Sequence, residues 1–244
     1  MVRGEQLYEG KAKILYATDD PHLVIQYFKD DATAFNAQKR GTIIGKGLVN
    51  NQISSHLFAL LEREGVPTHF VKQLSDREML VKRLQIIPLE VTIRNIVAGG
   101  MAKLLGIEEG MVLKQPVFEW HYKSDALSDP LINGDHILAM GWATAEELAH
   151  VRGQSFKVND ALKAFFHQRQ IDLVDFKLEF GRSPNGILLG DEISPDTMRL
   201  WEHGTRRKLD KDRFRRDLGS VEEAYQEVLR RVLGEAAQSS GVSR

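Results

Sequence analysis

The segment Leu173-Val-Asp-Phe-Lys-Leu-Glu-Phe180 decides how the fold of this chain is interpreted. Side chains alternate between the two faces of a β-strand, so this segment predicts a strand with one apolar and one charged face. The apolar face carries Val174, Phe176, Leu178 and Phe180, and the charged face carries Asp175, Lys177 and Glu179. A second acidic segment, Leu188-Leu-Gly-Asp-Glu192, follows closely. Together the two segments predict a site for a divalent metal ion and a polyphosphate.

The register between these two segments depends on the loop that joins them. A five-residue loop, residues 182–186, would place Lys177 opposite Asp191, with Glu179 on the same face. An even-numbered loop would turn Asp191 toward the apolar face, where burying an unpaired carboxylate is costly. We therefore expect the odd loop or a bulge. The alternative interpretation of the charged face is an exposed ladder of ion pairs, which would contribute little stability.

The order of the remaining segments predicts an α+β fold. The first third indicates a β meander, with strands over residues 7–18 and 23–28, a polar loop over 32–47, and a helix capped by Asn50 or Asn51. Strands are predicted next at residues 70–74, 78–84 and 89–95, followed by a short helix at 101–105 and a stretch at 114–133 that becomes loop-like. Two capping boxes predict the remaining helices. Thr144-Ala-Glu-Glu147 begins a long helix that extends to about Gln170, and Ser220-Val-Glu-Glu223 begins a last helix that ends at Gly234. We predict a β-rich lobe over residues 1–82 and a mixed α+β lobe over 83–244, with a cleft near 78–84.

The composition is typical of a soluble globular protein and excludes several functions. Lys and Arg total 33 and Asp and Glu total 34, so the formal charge of −1 gives no positive field to attract nucleic acid or a membrane surface. The absence of cysteine excludes disulfides, thiolate metal sites and cysteine nucleophiles, and it fits the cytoplasm. No apolar run approaches the roughly 20 residues that a membrane-spanning helix needs.

Two sets of basic residues are candidates for binding phosphate. In Gly10-Lys-Ala-Lys13, a strand would place Lys11 and Lys13 on one face, and Gly10 would allow a ligand close to the backbone. A solvated strand edge is the simpler interpretation of a motif this short. The second set is scattered, and a fold would have to gather it: Arg94, Arg199, Lys211, Arg213 and Arg215.

Seven segments, in order from about Leu7 to Leu233, resemble the SAICAR synthetase family, the phosphoribosylaminoimidazole-succinocarboxamide synthases of purine biosynthesis. The segments are Tyr8-Glu-Gly-Lys-Ala-Lys13, Leu48-Val-Asn-Asn51, Arg94-Asn95 with Ala98-Gly99, Val174-Asp-Phe-Lys-Leu-Glu-Phe-Gly181, Gly190-Asp-Glu-Ile-Ser-Pro-Asp196, Arg199-Leu-Trp201 and Asp210-Lys-Asp-Arg-Phe-Arg215. A single segment of this kind would be weak evidence, whereas seven in register identify the family.

The resemblance implies a kinase-like N-terminal antiparallel β lobe over a larger mixed α/β lobe, with ATP in the cleft between them. It implies an ATP-dependent ligase that joins L-aspartate to carboxyaminoimidazole ribonucleotide through an acyl phosphate, giving SAICAR, ADP and phosphate. ATP and Mg²⁺ are the implied cofactors. The implied partners are these small-molecule substrates and a second copy of the chain in a cytoplasmic homodimer, without nucleic acid or membrane.

The resemblance also implies roles for individual residues. The nucleotide-binding set is Gly10, Lys11, Ala12, Lys13, Lys82, Leu84, Glu179 and Asp191, of which Glu179 and Asp191 hold the metal. The catalytic pair is Lys177 and Asp175, and the substrate-binding set is Glu90, Arg94, Gly100, Asp129, Arg199, Lys211 and Arg215. The chain departs from the family pattern at Gly100, where serine is usual, and at Thr197-Met198, where Gly-Ser is usual.

Two other functions fit part of the same residue set. A small-molecule kinase on the same scaffold would keep Lys11, Lys13, Glu179 and Asp191 but release a phosphorylated product. A non-catalytic nucleotide-binding module would tolerate neutral replacements of the two carboxylates.

Overall fold

The computed structural model describes residues 2–34 and 39–234, which contain thirteen strands, six α-helices and one short 3-10 helix at Asp125–Leu127. The strands are β1 (Gln6–Glu9), β2 (Lys13–Ala17), β3 (Leu23–Phe28), β4 (Asp31–Ala34), β5 (Lys39–Thr42), β6 (Phe70–Gln73), β7 (Glu78–Lys82), β8 (Gln85–Ile96), β9 (Val112–Tyr122), β10 (Leu131–Ile132), β11 (Ile171–Ser183), β12 (Gly186–Leu189) and β13 (Met198–Glu202). The helices are α1 (Lys46–Arg63), α2 (Gly99–Leu105), α3 (Gly134–Ala139), α4 (Ala145–His167), α5 (Asp212–Arg215) and α6 (Val221–Leu233). None of the helices in these residues combines the length and the apolar composition that a membrane crossing requires.

Two antiparallel sheets form the framework. The first has the strand order β1-β2-β3-β7-β6, and the second has the order β10-β9-β8-β11-β12, with β13 paired to the first half of β11. The chain passes from the first sheet to the second between Lys82 and Gln85. The structure thus has the mixed α/β architecture with antiparallel sheets that the sequence predicts. The division into two lobes at residue 82 stays a prediction.

Strand β11 is the central strand of the second sheet, and its apolar face supports the main core. Phe176, Leu178 and Phe180 are buried there, together with apolar residues of α1, α4 and α6. Val174 instead packs in a separate small cluster with Trp201, because the pairing of β11 with β13 shifts register between Leu173 and Asp175. All four predicted apolar residues are therefore buried, but only three of them belong to the main core.

Several predicted boundaries are wrong for identifiable reasons. Helix α1 begins at Lys46 rather than near Asn50, after Gly45 takes a left-handed conformation with φ 79°. The predicted polar loop contains the hairpin β4–β5, which is largely exposed on β5 and so lacks an apolar pattern; residues 35–38 lie outside the described part. Strand β9 occupies much of the predicted 114–133 stretch and is half-buried along its second half, which conceals the period-two pattern.

One of the two predicted capping boxes is present. At the start of α4, the Thr144 hydroxyl accepts from the Glu147 N–H at 3.2 Å, and the Glu147 carboxylate accepts from the Thr144 N–H at 2.9 Å. Ser220 precedes α6 as predicted, but its φ of 46° is left-handed and its side chain makes no capping bond. The capping box at Ser220 is therefore wrong, whereas the end of α6 at Gly234 is confirmed.

The hairpin between β11 and β12 has a tight turn instead of the predicted five-residue loop. Ser183 lies opposite Gly186, so only two residues turn the chain, and Lys177 faces Thr92 on β8 rather than Asp191. The Ser183 hydroxyl fixes this turn because it accepts from the Asn185 N–H at 3.2 Å and donates to the Gly186 carbonyl at 2.9 Å.

The tight turn does not bury Asp191 on the apolar face, because the chain leaves the strand first. The last β12 pair joins Leu189 to Phe180, and the Gly190 N–H then donates to the Glu179 carbonyl at 2.9 Å. Asp191 follows with a left-handed φ of 59°, outside the strand. An aspartate tolerates this conformation better than most residues do. Asp191 therefore stays close to Glu179 without following strand alternation.

Candidate active site

A cleft of about 890 Å³ lies between the first sheet and the charged residues of the second. This volume is within the range of roughly 300–1,000 Å³ that small-molecule sites occupy. Its lining residues are Tyr8, Glu9, Gly10, Lys11, Ala12, Lys13, Lys29, Asp31, Ala32, Thr33, Arg40, Gly41, Glu90, Lys123, Asp125, Asp129, Glu179, Asp191 and Glu192. Eight of the residues predicted for the site are in this lining, namely Gly10, Lys11, Ala12, Lys13, Glu90, Asp129, Glu179 and Asp191.

The Gly10–Lys13 segment forms a turn at one wall of the cleft. The Gly10 N–H donates to the Lys13 carbonyl at 2.8 Å, which closes the turn between β1 and β2. Lys11 therefore lies in the turn, and the predicted single strand face shared with Lys13 is wrong because the chain reverses direction between the two residues. Lys11 pairs with Asp125 at 2.6 Å, across the cleft opening.

Lys13 lies against the acidic segment on the opposite wall. Its Nζ is 2.5 Å from Asp191 Oδ1 and 2.9 Å from Glu192 Oε1. Burial opposes protonation, yet the charges of Asp191 and Glu192 raise the pKa of Lys13 above its ordinary value of 10.5. For Asp191, burial is likewise outweighed by the charges of Lys13 and Lys123, which lower its pKa. The pair is therefore ionised at neutral pH.

Glu179 faces the same cleft and interacts with Asp191. Burial and then the negative charge of Asp191 raise the pKa of Glu179 from 4.5 to about 7, although an ion pair with Lys123 opposes the shift. Two half-buried carboxylates that repel each other fit a divalent cation, which prefers oxygen ligands and would relieve the repulsion. Sequence reasoning missed Lys123, which directly follows β9 and belongs to no motif.

A second charged cluster is centred on buried Asp175. Its carboxylate pairs with Arg94 at 2.7 Å and with Arg199 at 2.8 Å. Asp212, another residue that sequence reasoning missed, then pairs with Arg199 at 2.9 Å and with Arg215 at 2.7 Å. Arg94 also pairs with Glu119 at 2.8 Å, so the fold gathers three of the scattered arginines around three carboxylates.

Three more residues predicted to bind substrate make contacts outside the Asp175 cluster. Glu90 pairs with Lys177 across the β8–β11 ladder. Asp129 accepts from the Ser124 N–H at 2.9 Å, which holds its carboxylate at the end of the cleft. Lys211 pairs with Asp196 at 3.3 Å, and it is not joined to the Asp175 cluster by an ion pair.

The glycines near the arginines and the inter-sheet linker permit close approach. A Cβ at Gly100 would lie 3.9 Å from Arg94 Nη2, so this residue is adjacent to the arginine cluster. A Cβ at Gly181 would lie only 2.7 Å from the Leu84 Cβ, in the linker between the two sheets. Beside this linker, Lys82 Nζ donates to the Thr68 carbonyl at 3.0 Å.

Fold and cleft together place the chain among ATP-dependent enzymes. The cleft offers cations and paired carboxylates suited to a polyphosphate and its metal. The neighbouring arginine cluster offers planar donors suited to a second, anionic substrate.

Comparison with known proteins identifies the family within this class. The SAICAR synthetase family model matches residues 6–232. The chain is 58% identical over 234 residues to the phosphoribosylaminoimidazole-succinocarboxamide synthase of Clostridium acetobutylicum, covering 96% of this chain and 100% of the relative. The crystal structure of the synthase from Ehrlichia chaffeensis has a TM-score of 0.92 at 48% identity, covering 94% of this chain and 98% of that chain. A SAICAR synthetase solved in complex with ADP has a TM-score of 0.91 at 46% identity, covering 95% of this chain and 98% of that chain.

The chain therefore belongs to the SAICAR synthetase family and is an ATP-dependent carbon–nitrogen ligase of purine biosynthesis that acts on small molecules. The predicted family, fold class and enzyme class are confirmed. This result favours a ligase over both a small-molecule kinase and a non-catalytic nucleotide-binding module.

Proposed function

We propose that this ligase joins L-aspartate to carboxyaminoimidazole ribonucleotide through an acyl phosphate and releases SAICAR, ADP and phosphate. The observation that carries the proposal is the presence of two sites along strand β11: the Lys13–Asp191–Glu179 cleft, to which β11 contributes Glu179, and the arginine cluster around Asp175. The first suits a triphosphate and the second suits an anionic ribonucleotide. The related synthetase solved with ADP supports nucleotide use.

The proposed chemistry follows from the low reactivity of a carboxylate. An amine cannot displace an oxide ion from it, so the carboxylate oxygen first attacks the γ-phosphorus of ATP and ADP leaves. The aspartate amine then attacks the acyl carbon, phosphate leaves with the bonding electrons, and the amine loses a proton. The protein supplies positioning and electrostatic stabilisation, and no protein nucleophile is required.

On the nucleotide side, Lys11 and Lys13 bind the phosphates where Gly10 and Ala12 form the turn. The linker residues Lys82 to Leu84 bind adenine through their backbone. Glu179 and Asp191 would hold Mg²⁺, whose carboxylate preference fits this half-buried pair. When bound there, Mg²⁺ would offset the charge of the transferring phosphoryl group.

On the substrate side, Arg94 and Arg199 bind the 5′-phosphate of the ribonucleotide. Asp175 holds both guanidinium groups, at 2.7 Å and 2.8 Å, and so fixes their spacing before substrate arrives. Gly100 leaves room for the phosphate beside Arg94. Lys177 neutralises the substrate carboxylate or the acyl phosphate. The remaining substrate contacts are assigned to Glu90, Asp129, Lys211 and Arg215.

The division into lobes at residue 82, a homodimeric assembly and a cytoplasmic location belong to the same proposal. These three assignments rest on the resemblance to the family.

The function is tested by incubating the protein with Mg-ATP and the carboxylated ribonucleotide, with and without L-aspartate. ADP and a succinocarboxamide product should appear only when all three substrates are present. A stable phosphorylated ribonucleotide formed without aspartate would indicate a kinase instead. Absence of ADP in every combination would contradict the proposal.

Replacing Gly181 with Ala should weaken ATP binding through the linker at Leu84. The new methyl group would lie 2.7 Å from the Leu84 Cβ and 3.1 Å from the Gln85 carbonyl oxygen, so the linker must shift. Overpacking of about 1–3 kcal/mol predicts that the KM for ATP rises by roughly tenfold, with a smaller change in the KM for L-aspartate. Steady-state kinetics with each substrate varied in turn measure both values.

The matched control is Gly153→Ala in the middle of α4, where an added Cβ would meet no atom within 4 Å apart from the adjacent backbone of its own helix. This variant should keep the native KM for ATP, since alanine is favoured in a helix. A similar rise in both variants, or no rise in Gly181→Ala, would contradict the assigned role of the linker.

The stabilising effect of Mg-ADP should increase with pH through the titration of Glu179. This carboxyl binds its proton more tightly when folded, with a pKa of about 7 against an ordinary value of 4.5. Without the metal, stability therefore falls as pH rises across this window. Because the cation competes with the proton, the rise in Tm caused by Mg-ADP should grow over the same window. At each pH, the Tm increase caused by Mg-ADP is measured for the native protein and for Glu179→Gln, and the second value is subtracted from the first. A difference that stays constant or shrinks with pH would show that Glu179 does not hold the metal.

A further inference from the structure

Three metal-ligating side chains meet outside the cleft, where α4 leads into β11. They are His167, Asp172 and His203, and their potential ligand atoms all lie within 4.8 Å of one another. None of the three lines the cleft described above. The proposed ligase chemistry leaves this cluster without a role.

Main-chain structure brings these residues together. His167 is the last residue of α4, and after a short turn in which Gln170 has a left-handed φ of 56° the chain enters β11, whose second residue is Asp172. Strand β13 pairs with this end of β11, and the His203 N–H just beyond β13 donates to the Gln170 carbonyl at 3.0 Å. Backbone hydrogen bonds therefore hold the three positions near each other, whatever their side chains do.

The side chains are already close to the spacing of a metal site. His203 Nδ1 lies 2.8 Å from Asp172 Oδ1, and the His167 and His203 rings have centroids 5.5 Å apart. Ligands about 2.0–2.1 Å from a tetrahedral ion are about 3.3 Å from each other, so modest side-chain rotations suffice. The side chains of His203 and Asp172 are 47% and 27% exposed, which leaves them accessible to an ion from solution.

We propose that His167, Asp172 and His203 bind one divalent transition-metal ion of the Zn²⁺ type. Two imidazoles and one carboxylate suit Zn²⁺, Co²⁺ or Ni²⁺, whereas Mg²⁺ prefers oxygen ligands alone. Water would complete the coordination. The bound ion would link the end of α4 to β11 and to the residue after β13. It would therefore stabilise the N-terminal end of β11, the strand that carries Asp175, Lys177 and Glu179.

The test uses tag-free protein treated with a chelator and then kept in excess Mg²⁺, which occupies oxygen-only sites. Titration with ZnCl₂ in a calorimeter should show one saturable equivalent, and the Tm should rise with Zn²⁺ concentration because the ion binds the folded state. His167→Gln, Asp172→Asn and His203→Gln should each weaken Zn²⁺ binding by roughly tenfold or more. Co²⁺ in place of Zn²⁺ should give a visible absorption spectrum of bound ion that the same variants lose.

The matched control is His150→Gln, because His150 is an exposed histidine on the same helix and lies outside the cluster. It should bind Zn²⁺ as the native protein does. Saturable binding that persists unchanged in all three cluster variants would place the ion elsewhere and overturn the proposal. Absence of saturable binding to the native protein would overturn it as well, and would leave His203 and Asp172 as a hydrogen-bonded surface pair.

Discussion

Replacing Glu179 with Gln, or Asp191 with Asn, is expected to lower kcat by roughly a thousandfold, in line with the loss of a group that stabilises transferred charge. Each amide keeps the shape of the carboxylate but removes the charge that, in the proposed function, would hold the metal. Asp191→Asn also weakens the hold on Lys13, whose Nζ lies 2.5 Å from the carboxylate. Release of ADP under saturating substrates measures the effect.

The Glu179 variant should lose activity without losing stability. Burial and the charge of Asp191 already disfavour the ionised form of Glu179, so a neutral amide removes a repulsion. Its partner Lys123 is 45% exposed and can be solvated when the ion pair is lost. A Tm equal to or above the native value is therefore expected, which separates this loss of activity from unfolding.

Glu9→Gln is the control for charge removal within the cleft. Glu9 also lines the cleft and pairs with Lys29 at 2.7 Å, but its side chain is 46% exposed. It lies on β1, which pairs with β2 and not with the acidic hairpin, the β11–β12 hairpin that carries Glu179 and leads into Asp191. Its kcat should stay within a few-fold of the native value. If Glu179→Gln and Asp191→Asn behaved like Glu9→Gln at saturating Mg²⁺, the two carboxylates would not be the metal ligands.

The local sequence pattern predicted the strand at the centre of the fold, because apolar and charged side chains alternate along consecutive residues. The burial of Phe176, Leu178 and Phe180 follows directly from that period of two. Val174 is buried as well, but it packs with Trp201 outside the main core, because the pairing of β11 with β13, more than twenty residues along the chain, shifts register beside it. The register in which two strands far apart in the sequence pair cannot be predicted from the sequence of one strand alone.

The candidate site was predictable in its residue types and less so in its contacts. The acidic hairpin and the Gly-Lys turn have short sequence signals, and the family resemblance assigned their roles. The tight turn at residues 184–185 and the left-handed conformation of Asp191 were not predicted. The loop length was chosen only so that the Asp191 carboxylate would avoid the apolar face of the strand. Lys123 and Asp212 were missed because each becomes significant only through a partner brought close by the fold.

The role of Lys46 was also not predictable from its own segment. Residues 41–47 resemble a phosphate-binding loop only superficially. In the structure Lys46 is wholly buried, and its Nζ lies 2.8 Å from Asp196 Oδ2. Asp196 also accepts from the Tyr225 hydroxyl at 2.7 Å and pairs with Lys211 at 3.3 Å. This network joins the start of α1 to α6 and to the loop that follows the acidic hairpin.

Replacing Lys46 with Met should therefore destabilise the protein by about 3 kcal/mol, because breaking a buried ion pair costs about 3–5 kcal/mol and Lys211 still faces Asp196. Asp196→Asn should cost more, since Lys46 and Lys211 then repel each other without a carboxylate between them. Although burial opposes its ionisation, the charges of Lys211 and Lys46 lower the pKa of Asp196 below 3.8, so the carboxylate is charged at neutral pH. Urea unfolding at pH 7 measures the free energy of unfolding of each variant.

Lys11→Met is the matched control, because it makes the same substitution at an ion pair whose side chains are 42% and 74% exposed. Such a surface pair contributes about 0–1 kcal/mol, so this variant should unfold nearly as the native protein does. The order of stability should then be Lys11→Met, Lys46→Met and Asp196→Asn, from most to least stable. Equal stabilities for the two lysine variants would mean that the buried pair contributes no more than a surface pair. In that case the network around Asp196 would not be what holds α1 and α6 against the acidic hairpin.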